Sequence, residues 1–154
     1  MKISPQVSYS SIIAKLEEER DKISDSDFEQ SHFKIMSYII LLYSALECFL
    51  REVFKEHTDR MDDGAVKNHF SGKADNISIE KDLELLCGFF LSDTSLNFET
   101  QKILTKKRNN YVHRMFKSGA YSFEDHPTSK EQLDADFVHV KNVMKTVLNA
   151  TLSQ

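Results

Sequence analysis

The sequence predicts an all-α fold, an antiparallel bundle of about four or five helices. Three observations lead to it. Apolar residues recur at helical spacing over most of the chain instead of alternating. Only four Gly and two Pro are present, too few for a turn-rich β-sandwich. Short Ser- and Asp-rich stretches, Ser24-Asp25-Ser26-Asp27 and Asp93-Thr94-Ser95, separate the apolar segments. Residues 1–154 read as one domain, large enough to bury roughly two thirds of the surface its unfolded chain would expose.

The elements follow in order. Val7 to Ile23 carries Ile12, Ile13, Leu16 and Ile23 on a charged background, which predicts a short amphipathic helix. From Phe28 to about Arg60, apolar residues recur through Ile35, Met36, Ile39, Leu42, Tyr43, Leu46, Phe49, Leu50, Val53 and Phe54. No Pro or Gly interrupts them, so one long helix is expected. Met61 to Asn76 reads as a connection with one helical turn around Ala65 to Phe70. Ile79, Leu83, Leu86, Cys87 and Phe90 outline a further helix behind Ser78, and Asn97 to about Phe116 another, ending before Gly119. Tyr121 to Thr128, with His126-Pro127, reads as a loop. Ser129 then caps a last helix through Leu133, Phe137, Val140, Val143, Met144, Val147 and Leu148.

Composition narrows the function. Forty per cent hydrophobic and 29 per cent charged residues suit a soluble globular protein, and a net charge of −4 argues against coating nucleic acid through the whole surface. The longest apolar run, Ile39 to Tyr43 followed by Ser44-Ala45-Leu46, is stopped by Glu47 and reads as buried helix, with no membrane partner expected. Met1 to Pro5 shows no secretory signal, so a cytoplasmic location is expected. Cys48 and Cys87 lack metal-ligand spacing and read as reduced core thiols. A glycine-rich phosphate loop, a Gly-x-Ser-x-Gly elbow and a His-Glu-x-x-His pattern are all missing, so neither cofactor nor metal is expected. Asp59, Asp62 and Asp63 read as a solvated acidic turn.

One stretch carries chemistry. Arg108-Asn109-Asn110-Tyr111-Val112-His113 places a permanent cation, a carboxamide and a titratable imidazole close together on one helix. Asn109 and His113 are one turn apart, and the long Arg108 side chain can reach the same cleft from one turn below. Cleavage of RNA without a metal requires activation of the 2′-hydroxyl, stabilisation of an anionic phosphorane and protonation of the leaving 5′-oxygen. His113 suits the general base or acid. Arg108 suits the charge stabiliser on the phosphate, and Asn109 the group that holds the phosphate or the imidazole. From Gln101 to Lys117 there is no acidic residue, and Lys106, Lys107, Arg114 and Lys117 around the motif form a candidate RNA-binding surface. A structural pairing of Arg108 and His113 is the alternative. His32, His57, His69 and His139 are isolated among helical charges, and His126 falls in the loop after the motif helix.

The pattern Arg-Asn-x-x-x-His at 108–113, behind a long helix carrying Ser44-Ala45-Leu46-Glu47-Cys48-Phe49-Leu50-Arg51, resembles the HEPN superfamily (higher eukaryotes and prokaryotes nucleotide-binding). The resemblance implies an HEPN-like helical domain and a metal-independent endoribonuclease that serves as a prokaryotic toxin or defence effector. It also implies a homodimer, whose two motifs share one composite cleft on RNA, and a cognate antitoxin or other partner protein. A polar residue on the long helix often supports the motif in this superfamily. Glu47 is the corresponding position here, because it interrupts the seam of Tyr43, Leu46 and Leu50; a carboxylate at the edge of the apolar stripe is the alternative. Met115 stands where one subgroup has a Tyr that a partner nucleotidyltransferase modifies, so that form of control is not implied. HEPN-like domains that only dimerise or hold a partner make a non-catalytic interaction module the alternative function.

Overall fold

A computed structural model describes residues 4–73, 109 and 127–153. Among these the protein is all-α, with five helices and no strand. The expected helices over Ile79 to Phe90 and Asn97 to Phe116, and Cys87, lie outside the described residues, apart from Asn109.

Helix α1 spans Pro5–Asp21. It starts earlier than the apolar pattern suggests because Ser4 accepts the Val7 N–H (3.4 Å) and Pro5 brings a backbone angle already suited to the first turn. The long helix expected from Phe28 is divided. A single turn, α2 (Asp27–Gln30), precedes α3 (His32–Asp59), and Ser31 between them is non-helical at φ −141°, ψ 64°. The Asp27 carboxylate accounts for the break. It accepts the Ser24 N–H (2.8 Å) and hydroxyl (3.1 Å) and pairs with Lys34 (2.8 Å), which folds the Ser- and Asp-rich corner onto itself in competition with a continuous helix.

Helix α4 (Ala65–Lys73) is longer than the one turn expected. Its anchor is Phe70, buried and edge-on to Phe54 at 6.0 Å, while Asp63 and Lys67 pair at 2.8 Å across its first turn. The last helix, α5 (Lys130–Leu152), begins as the sequence predicts: Ser129 accepts the Gln132 N–H, and Gln132 reaches back to accept the Thr128 N–H at 2.8 Å.

The core lies between α1, α3 and α5. Phe49, Leu50, Val53 and Phe54 of α3 and Leu133, Val140, Met144 and Val147 of α5 are completely enclosed, with Leu16 of α1 nearly so. Each such side chain contributes about 1.5–3 kcal/mol through removal from water. Cross-contacts fix the helix directions. Tyr9 stacks edge-on to Phe49 at 6.2 Å and the Tyr38 hydroxyl donates to the Leu16 carbonyl at 3.1 Å, so α1 is antiparallel to α3. Arg20 lies 4.5 Å above the Phe137 ring and 3.6 Å from Asp134, while Glu17 meets Lys141 at 3.5 Å, so α1 is antiparallel to α5 as well. It follows that α3 and α5 run parallel, and His57 and Thr151 meet at their shared C-terminal end.

By length and composition alone Phe33–Asp59 could cross a membrane. Half of its most apolar window is buried inside the protein, and the seam packs against α1 and α5, which is also how the core helix of a bundle behaves.

Candidate functional site

The helical repeat gives α3 two faces. Ile39, Leu42, Leu46, Phe49, Leu50 and Val53 turn into the core, while Ser44, Cys48 and Lys55 are exposed on the other side with Arg51 between them. Cys48 is therefore an exposed free thiol and not the core thiol expected from its apolar neighbours in sequence. Position decides this: it lies one turn from Ser44 on the polar stripe, and Phe49 takes the buried place beside it.

On this stripe an open groove of about 420 Å³ is lined, among the described residues, by Ser44, Glu47, Cys48, Arg51, Glu52 and Lys55. Within it Glu47 Oε1 accepts from Arg51 Nη2 at 2.7 Å, with the two side chains 24% and 36% exposed. The spacing is four residues with the acid on the N-terminal side, the favoured order for a helical ion pair. Glu47 is thus half-buried at the edge of the apolar stripe and paired with a guanidinium.

Among the described residues, Arg51 Nε and Glu52 Oε2 are enclosed without a hydrogen bond. Leaving such a group unmatched costs on the order of 1–3 kcal/mol. Partial burial of the sulfur, reinforced by Glu52 and opposed by Arg51, raises the Cys48 thiol above its ordinary range. That makes it a poor nucleophile at neutral pH.

Of the motif, Asn109 is helical and half-buried. Arg108, His113, Lys106, Lys107, Arg114 and Lys117 lie outside the described residues. Sequence reasoning did not single out Arg51 or Glu52. The i, i+4 Glu–Arg spacing was the available signal for Arg51; nothing in the sequence marks Glu52. It also set His57 aside as isolated, whereas the imidazole is buried against Thr151 at 3.4 Å. Burial, with Arg60 nearby, lowers its pKa below the ordinary 6.5. His69 is exposed beside Phe70, His139 is half-buried, and His126 lies outside the described residues. Among the described residues no group of three or more His, Cys, Asp or Glu is arranged to hold a metal ion, and Asp63 is engaged by Lys67.

Comparison with protein-family models, with curated proteins and with solved structures finds no match to this chain.

Proposed function

We propose that this chain is a metal-independent endoribonuclease of HEPN type, a cytoplasmic toxin or defence effector that cleaves RNA by attack of the 2′-hydroxyl. The Arg-Asn-x-x-x-His pattern at 108–113 carries the reading. Glu47 supports it: on the long helix, where the resemblance needs a polar group, the carboxylate is half-buried and held in one direction by Arg51. In the HEPN-like bundle so proposed, Glu47 orients the motif, Arg108 stabilises the phosphorane and His113 moves the proton. One imidazole cannot be base and acid in the same step. Two copies related by a two-fold axis supply one for each role, hence the homodimer. Such a nuclease needs restraint in its own cell, and a cognate antitoxin or other partner protein is the proposed means.

A second reading, the non-catalytic interaction module, draws on the same ion pair. Glu47 and Arg51 bond within one helix, which also suits a purely structural role.

Incubation of the full chain with single-stranded and structured RNA in excess chelator distinguishes the two. The nuclease leaves 2′,3′-cyclic phosphate ends and spares DNA, and His113→Ala or Arg108→Ala lowers its rate by about 10² or more. It also sediments as a dimer. Uncut RNA and unaffected growth on expression would leave the module as the better account.

A further inference from the structure

The corner between α1 and α3 is held by contacts of two kinds. Asp27 bonds to Ser24 on its own side of the break, whereas its pair with Lys34 (2.8 Å) crosses it. The crossing pair joins residues that two turns of unbroken helix would separate by about 10.5 Å along the axis. It therefore favours the bent form. Phe28 does so as well, because in that form its side chain is buried with the core.

Against these contacts stands the helical character of the chain itself. No Pro or Gly lies between Asp27 and Asp59. Ser26 is already in the helical region, and the N–H groups of Gln30 and Ser31 already bond the Ser26 and Asp27 carbonyls (3.1 and 2.9 Å). Ser31 alone, at φ −141°, ψ 64°, separates α2 from α3. Its turn to helical angles would give the N–H groups of His32, Phe33 and Lys34 the carbonyls of Phe28, Glu29 and Gln30 as helical partners. Asp27 and Glu29 would then stand in the first turn of the joined helix, where acids suit the macrodipole. Residues 22–26 would remain as the link from α1, within the ~2–5 residues usual between antiparallel helices. The Ile23 carbonyl keeps its bond from Lys130 (3.1 Å), so α1 stays in place.

The apolar period shows where Phe28 would go. It lies seven residues before Ile35, itself seven before Leu42, and both are buried, so a straight helix carries Phe28 along the same stripe. Tyr38 bonds the Leu16 carbonyl, which sets the end of α1 beside the first turns of α3. A straight segment 27–31 projects past that end.

We propose that Ser31 is a hinge between two forms of this end of the bundle. In the bent form the Asp27–Lys34 pair and the burial of Phe28 act as the latch. In the straight form residues 27–59 make one helix and present Phe28 beyond α1. The latch opens from the Lys34 side, whose side chain is 43% exposed against 15% for Asp27, so solvent ions reach the ammonium first. The hinge is independent of the ribonuclease reading.

The test uses NMR relaxation dispersion on Ser31 and Phe28 in the full chain, which gives the population and the chemical shifts of a minor form. Wild type exchanges between a non-helical major and a helical minor Ser31. Lys34→Met raises the minor population by about two- to fivefold, the range for a partly exposed ion pair. Phe28→Ala raises it by about tenfold or more, since the bent form then no longer shelters a ring from water. Signals of Val140 and Met144 serve as the check that the core is intact. Should Phe28→Ala unfold this end, Lys34→Met, which removes no buried group, decides alone. A Ser31 without exchange in wild type and variants, or a minor population that neither substitution raises, overturns the proposal.

Discussion

Replacing Glu47 by Gln separates a helix strut from a residue that positions the motif. The carboxylate bonds Arg51 at 2.7 Å, with side-chain exposures of 24% and 36%, so solvent screens the pair in part. An i, i+4 pair of this kind is worth about 0.3–0.5 kcal/mol when exposed and at most about 1 kcal/mol here. At this chain length 1 kcal/mol corresponds to a Tm change of about 2–4 °C, so Glu47→Gln should lower Tm by a few degrees at most. On the nuclease reading its effect on rate is larger. Loss of orientation at the motif should lower kcat by about tenfold, equivalent to about 1.4 kcal/mol, more than the pair contributes to folding. Urea unfolding and initial RNA cleavage rates on Glu47→Gln, Arg51→Met and the double variant give both quantities and their coupling. A rate within about twofold of wild type, with a stability loss above about 1 kcal/mol, would refute the positioning role and make Glu47 a strut of α3.

Stability at mildly acidic pH should report His57. Burial, then Arg60, hold its folded pKa below 6.5, so the neutral form is favoured in the folded state. Its contribution is complete above pH 6.5 and is lost as pH falls through the lowered folded value, so unfolding at pH 8 and pH 5 should show a smaller acid-induced loss for His57→Gln than for wild type. A larger loss in the variant would overturn the assignment. Phe49→Ala, at a side chain with 0% exposure, should cost about 3–5 kcal/mol in urea unfolding, and a loss below 1 kcal/mol would place the core elsewhere. Tyr38→Phe removes the hydroxyl that donates to Leu16 and should cost about 1 kcal/mol; an unchanged midpoint would show that water replaces the bond.

The seams of α3 and α5 were legible because burial follows the helical repeat closely: every apolar residue expected on the final stripe, from Leu133 to Leu148, is buried. Ser129 was legible as a cap because its hydroxyl acts on a backbone group within one turn. The break at Ser31 was not, since it depends on Asp27 gathering Ser24 and Lys34, a contact that no hydrophobic period encodes. His57 reads as one charge among others until α5 is placed beside α3 and Thr151 covers it. The parallel sense of α3 and α5 follows from contacts between distant segments, such as Lys130 to the Ile23 carbonyl at 3.1 Å, which local patterns leave open. In the site, Glu47 was visible as a charge that broke the seam. Arg51 was signalled by its i, i+4 spacing from Glu47, and the structure shows the two side chains meeting at 2.7 Å.

The placement of this groove decides how freely its chemistry can vary. Glu47 and Arg51 lie one turn apart on the face of α3 opposite Phe49 and Val53, whose side chains are fully enclosed. A substitution on the polar stripe removes no core volume, and its cost is limited to a partly screened ion pair. A substitution on the seam opens a cavity and costs several times more. Folding therefore constrains the seam strongly and the stripe weakly. Glu47 therefore sits where folding tolerates change, so a large effect of Glu47→Gln on activity with a small effect on stability is the pattern that a positioning role requires.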